Sequence, residues 1–364
     1  MTRTQTPPTT REEWLLLLTA FGDNEVSQSA WNLLAPDLDI DSIAHDTHGI
    51  FSQLGEALRR MGLKPHILPR LDGVQKRLWA RNSLHVRDVL SARKHLADHG
   101  VRSEVTGGLA LLLRQPDLGR RPLVDAELVV DASRVVVACG LLHGQGWTEV
   151  EQRRDGWLLD LHANTFVRNG HALTLRWADG TWPYASGDAE QARIVGLGES
   201  VTLPRPAPLL AYTLIEEFRV WGYTPLRRYA DAMMLLRDAE PVQWPHLLKL
   251  ASERKATIPV RQALQAIAED IPSLVPSQVL DTFRTRQRGT HAPWTLAAER
   301  RSHTAAAFLR RTQGMSPVGA ISVAPSFLRD VWEVERARDL PVVGVRRLAA
   351  RFATRASKVT PPPT

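Results

Sequence analysis

Asp125 and Glu127 stand two residues apart in the otherwise apolar run LVDAELVV. The run is short and rich in valine, which predicts a strand, and in a strand residues i and i+2 share a face. Two carboxylates on one face repel each other unless a cation lies between them. Hard divalent ions take oxygen ligands, commonly one or two carboxylates with phosphate oxygens and water, so the pair is a candidate site for Mg²⁺ or Mn²⁺. A solvated edge strand shows the same pattern, and the pair by itself leaves both readings open.

The neighbouring segments bear on that choice. Upstream, Thr106, Gly107 and Gly108 precede the apolar run LALLL, where a glycine pair leaves backbone N–H groups at a helix start open to phosphate oxygens. The same pair suits a tight strand-to-helix turn with no ligand. Downstream, Asp160 and His162 alternate with Leu159 and Leu161 in GWLLDLHANTF, a second predicted strand. A third acid from a neighbouring strand would complete a two-metal nucleotidyl-transfer centre, as ligand or as the base that activates an attacking hydroxyl. Asp160 is the candidate. His162 is read as orienting the acceptor or a phosphate, or as a hydrogen-bonded structural residue.

Arg120 and Arg121 lie just ahead of the acidic strand and can grip phosphate oxygens bidentately, or form a solvated loop pair. Arg228 and Asp231 are three apart in a predicted helix, spacing that allows a local ion pair and a role in docking a helical domain. Trp147, Trp157, Trp177, Trp221 and Trp244 read as core and domain-contact residues rather than base-stacking platforms.

The scaffold that must position these groups changes period twice. Residues 11–100 repeat apolar side chains at three- and four-residue intervals in EEWLLLLTAF, HGIFSQLGEALRRMG and VRDVLSARKHLADHG, which predicts an N-terminal helical region. Residues 101–202 carry the strand-like runs AELVV, WLLDLHANTF and ALTLRWA, with turns expected at RRDG, RNGH and ADG and a helix at DASRVVVACGLLHGQGW. This is a mixed α/β core. Helices return over 203–285, several with proline near their starts. Residues 286–353 form a basic, loosely amphipathic helical extension, and 1–10 and 354–364 read as disordered tails. No internal repeat is present.

Composition narrows the class. With 43% hydrophobic and 23% charged residues the chain reads as soluble and globular, and its 364 residues suffice for a sizeable core. It lacks an eighteen-residue apolar window, and MTRTQTPPTTREE has no apolar signal region, so a cytoplasmic protein with no membrane partner is expected. Cys139 is the only cysteine, which excludes an intrachain disulfide and a multi-thiolate zinc site. A metal must then be held by oxygen or histidine. The net charge of +7 is modest and mostly arginine, so nucleic acid binding through the region from Arg284 to Arg311 is the weaker idea.

Taken together, GGLALLLRQPDLGRRPLVDAELVV, then GW, LLDLHANTF, LRRYADAMMLL and WPHLLKLA resemble an uncharacterised bacterial nucleotidyltransferase family of the polymerase-β-like superfamily, met beside peptide and polysaccharide biosynthesis genes. The resemblance spans roughly Trp79 to Ile271. It implies an α+β fold with a polymerase-β-like core, a short mixed sheet with helices, flanked by N- and C-terminal helical regions. It also implies an Mg²⁺-dependent enzyme that moves a nucleoside monophosphate from an NTP to an acceptor hydroxyl of a peptide, sugar or small metabolite, in a natural-product (modified peptide) or polysaccharide pathway. Carried over by position, Gly107 matches the glycine of a lysine-glycine step, Arg121 the arginine before the acidic pair, Asp125 and Glu127 the pair itself, Asp160 and His162 a D-L-H step, and Arg228 and Asp231 a helical motif. On that basis Asp125, Glu127 and Asp160 are the catalytic and metal-binding candidates, and Thr106, Gly107, Gly108 and Arg121 the nucleotide-binding ones. His162, Arg120 and Arg228 are candidate contacts to acceptor or phosphate. Two positions depart from the pattern. Thr106 replaces the lysine and removes a charge, and Glu127 replaces an aspartate and lengthens the arm by one methylene. They support a second reading, a nucleotidyltransferase fold that binds in such a pathway without turnover.

Overall fold

A computed structural model describes residues 10–39, 49–115, 117–155, 161–178, 189–193, 200–216, 225–238, 240–253, 256–290 and 324. Two compact units divide the chain at residue 290, and all of the elements below belong to the first.

Four helices open it. α1 (Arg11–Phe21) begins with a capping box in which Thr10 and Glu13 each accept from the other's backbone N–H, and α2 (Asn24–Leu34) begins at Asp23, whose carboxylate caps Val26. α3 (Phe51–Arg60) leads to α4 (Leu68–Asp98), a helix of 31 residues with proline in its first turn. From Asn82 onward the buried residues of α4, Asn82, His85, Val86, Val89, Leu90, Ala92 and Leu96, recur at helical spacing and define one inward face.

The sheet follows. β1 (Ser103–Thr106) runs straight into α5 (Gly107–Leu113), and β2 (Asp125–Val130) leads through a short 3-10 turn to α6 (Val135–Gly144). β3 (Thr148–Asp155), β4 (Leu161–Arg168) and β5 (His171–Ala178) complete it, in the order β1-β2-β5-β4-β3. Only the β2–β5 pairing is parallel, so the sheet is mixed. Asn169 and Gly170 both hold positive φ, 54° and 76°, the conformation a two-residue hairpin demands between β4 and β5, where a turn is expected from RNGH. At RRDG the outcome differs: Arg153 to Asp155 continue β3 in register with β4, at the edge of the sheet.

A separate pair, β6 (Ala189–Arg193) with β7 (Ser200–Pro204), precedes five helices. These are α7 (Pro206–Glu216), α8 (Pro225–Leu236), α9 (Trp244–Glu253), α10 (Thr257–Asp270) and α11 (Ser277–Thr290). One continuous core joins Leu17 and Phe21 of α1 to Leu128, Phe166 and Leu175 of the sheet and to Leu214, Met233 and Leu264 of the later helices. A smaller cluster around Leu16, Phe51, Leu54 and Leu71 holds α1 to α3 and α4. Trp14 spans the two helical regions: its indole N–H donates to Asp270 at 2.8 Å, and its ring meets Tyr229 edge-on at 5.4 Å. No described helix is long and apolar enough to cross a membrane.

Candidate active site

Strand alternation sorts β2 as its sequence predicts. Ala126 and Leu128 are fully buried, while Asp125, at the strand's partly exposed start, and Glu127 share the other face. Across the β2–β5 pairing, Thr174 and Arg176 fall on that same face. Thr174 donates its hydroxyl to Asp125 Oδ2 at 2.7 Å. Thr165 of β4 lies 3.2 Å from the Thr174 oxygen, and since a hydroxyl has a single proton, Thr165 donates there.

Glu127 is boxed from three directions. Arg176 brings its Nε to Oε2 at 2.9 Å, and Tyr212 of α7 donates its hydroxyl to the same oxygen at 2.7 Å. The third wall is Gly107, where a methyl group would overlap the carboxylate; its φ of 53° also favours glycine. Arg176 is 1% exposed, and Thr106, opposite Glu127 in the β1–β2 register, is fully buried.

Arg121 is buried beside this cluster. Its Nε and one terminal nitrogen engage the two oxygens of Asp231 at 2.7 and 2.8 Å, and the other terminal nitrogen donates to the carbonyls of Gly108 and Pro122. A Cβ on Gly108 would lie 2.9 Å from that guanidinium. Both glycines therefore make room for the chain's own charged side chains. Asp231 pairs with Arg121, not with Arg228 three residues earlier; Arg228 instead donates to the Leu214 carbonyl at 2.9 Å and lies over the Tyr229 ring. The docking of α8 thus runs to the turn ahead of β2.

That turn is fixed by the N-terminal helices. Asn82, fully buried on α4, donates to the carbonyls of Leu118 and Arg121 at 2.6 and 2.7 Å and accepts from the Leu123 N–H at 3.1 Å. Ser52 of α3 donates to the Gly119 carbonyl, and Glu56 holds the Arg120 guanidinium by two contacts of 2.7 and 2.6 Å. Asp117 accepts from the Gly119 N–H and from Gln75. The acidic strand therefore starts from a clamped position.

The remaining predicted residues divide. His162 holds the register position opposite Trp177, in step with Asn164 and Phe166, whereas Ala163 and Thr165 are in step with Arg176 and Thr174. Asp160 lies outside the described residues, as do Trp157 and Trp221. Trp147 is buried in the core. Arg176, Tyr212, Thr174 and Asn82 were not predicted as site residues. The polar side chains of HALTLRWA alternate with leucine and so carried a signal; Tyr212 and Asn82 offered none beyond a polar group on an apolar helix face.

The donor chemistry suits a hard cation. Two carboxylates separated by one residue on one sheet face offer oxygen ligands, and Asp125, held by a neutral hydroxyl, lies toward the exposed end. Among the described residues no group of three His, Cys, Asp or Glu side chains gathers, so a third ligand would come from elsewhere.

A family model described as an uncharacterised nucleotidyltransferase matches residues 42–270. Among solved structures the chain is similar to the antibiotic-resistance factor ANT(2'')-Ia, at 16% identity over 49% of this chain and 94% of that one, with a TM-score of 0.36. It is also similar to an antigenic nucleotidyltransferase-like protein from Paracoccidioides brasiliensis, at 19% identity over 54% and 92% of the two chains and a TM-score of 0.36. No curated protein matches it.

Proposed function

The chain belongs to the uncharacterised nucleotidyltransferase family, and from that premise we propose that it transfers a nucleoside monophosphate from an NTP to a hydroxyl of a peptide, sugar or small metabolite. The observation that carries the reading is the placement of Asp125 and Glu127 on one face of β2, beside the β1–α5 turn at Thr106, Gly107 and Gly108.

In the reaction the acceptor oxygen bonds to the α-phosphorus, the α–β anhydride bond breaks, and pyrophosphate leaves. Asp125 and Glu127, with Asp160, are the residues assigned to hold Mg²⁺ or Mn²⁺; when bound, such an ion offsets charge on the phosphate oxygens. Thr174 orients Asp125 through its hydroxyl. The Thr106–Gly108 turn is assigned to the triphosphate, and Asp160 to taking the acceptor's proton. Arg121 acts on this site by fixing the Gly108 carbonyl and α8.

The test is pyrophosphate release from each of the four NTPs over a panel of acceptors. Asp125→Ala is expected to abolish it with a melting temperature close to the parent's. An equally active variant would remove Asp125 from the chemistry.

A second reading is favoured by Arg176 and Tyr212 on the Glu127 oxygen. In it the fold binds nucleotide without turnover. Calorimetry showing NTP binding, with no pyrophosphate released on any acceptor, would select it.

A further inference from the structure

Glu127 is a metal-ligand candidate whose carboxylate already touches a permanent cation. Arg176 reaches it from β5 at 2.9 Å, is 1% exposed, and carries a guanidinium that stays protonated at any working pH. Tyr212 adds a second donor to the same oxygen from a different element. Asp125, two residues away, accepts a hydrogen bond from the Thr174 hydroxyl.

We infer that Arg176 is a resident cation that competes with divalent metal for Glu127 and so sets the metal affinity of the nucleotide-free site. The inference rests on the metal-site reading of Asp125 and Glu127 given above. A divalent ion approaching Glu127 meets the guanidinium at close range, and two cations sharing one buried carboxylate repel each other. Metal capture through Glu127 thus competes with the Arg176 contact and favours a carboxylate turned away from it. The extra methylene of glutamate over aspartate gives the side chain one more rotatable bond for that exchange.

The experiment titrates the full chain with Mn²⁺ in the absence of nucleotide and follows the free-ion signal by electron paramagnetic resonance. Arg176→Met is expected to bind Mn²⁺ about tenfold more tightly than the parent, the scale on which a close like charge perturbs an ionic equilibrium. Arg176→Lys, which keeps the charge, is expected to stay near the parent, and adding Asp125→Ala to Arg176→Met is expected to remove the gain. A purely structural arginine predicts the opposite sign, since its loss would loosen the site. A folded Arg176→Met with unchanged or weaker Mn²⁺ binding overturns the inference. If Arg176→Met does not fold, Tyr212→Phe removes the other donor to the same oxygen and is expected to tighten Mn²⁺ binding by a smaller factor; no change there overturns the inference equally. A parent that binds Mn²⁺ and NTP while the variants leave affinity unmoved fails the competition alone. A parent that binds neither fails the metal-site reading itself.

Discussion

The Arg121 guanidinium meets both carboxylate oxygens of Asp231, 110 residues later in the chain, with each residue at least nine-tenths buried. Breaking such a pair strands a charge in the interior. Asp231→Asn or Arg121→Met is therefore expected to cost about 3–5 kcal/mol. Chemical denaturation measures it, and the Arg121→Met, Asp231→Leu double variant should be more stable than the worse single one.

Gly107 is constrained twice, by its positive φ and by the Glu127 carboxylate in the space a side chain would fill. Gly107→Ala is expected to lose about 2 kcal/mol or more and to weaken Mn²⁺ binding by displacing Glu127. Gly140, with open space at its Cβ and no positive φ, is the control, where alanine should be neutral or mildly stabilising.

Asn82 satisfies two carbonyls and one N–H of the turn ahead of β2. Asn82→Ala leaves those buried groups without it, at a cost of about 1–3 kcal/mol for each group not rescued by water. The expected result is a large drop in denaturation midpoint, with faster amide exchange at Leu123, whose N–H Asn82 accepts.

Acid should weaken the fold in two stages. Burial of His85 holds its pKa below the ordinary 6.5, opposed by its bond to the Ala172 carbonyl and aided by the charge of His171, stacked at 4.8 Å, and by Arg81. The unfolded chain then takes the proton first, so this stability is whole above pH 6.5 and falls as pH drops below it. For Asp88, burial pushes the carboxyl up, but the hydrogen bonds of His171 and Asn169 and the charges of His171 and Arg168 outweigh it and bring it below 3.8. Its contribution is lost only at pH under that value. Melting temperature measured from pH 8 to 5 should fall in the parent and flatten in His85→Gln.

The site's acidic half is legible in the sequence because period-two alternation needs no partner: apolar Ala126 and Leu128 mark out Asp125 and Glu127 by contrast. Its basic half is not. Arg176 and Tyr212 reach Glu127 across 49 and 85 residues of chain, and only the register of β2 with β5 and the seat of α7 bring them there. The fold divides in the same way. The long helices and β2, β4 and β5 show in the apolar pattern, whereas β3, written TEVEQRRD at the sheet's edge, has no apolar stripe to show. β1 is only four residues long. Asp231 shows the limit of local spacing: Arg228 is the nearest arginine on its own helix face, yet burial beside Arg121 wins.

The bond from Trp14 to Asp270 joins residues 256 positions apart. During synthesis at about 5–20 residues per second, α1 leaves the ribosome on the order of tens of seconds before α10 exists to receive it. In that interval its core side chains Leu17 and Phe21 lack the late helices that complete their cluster, though Leu16 can already pack against Phe51 and Leu54. The nascent chain is thus most exposed to chaperones, proteases and aggregation before α10 arrives, and the unit closes as a whole only after its last helices emerge.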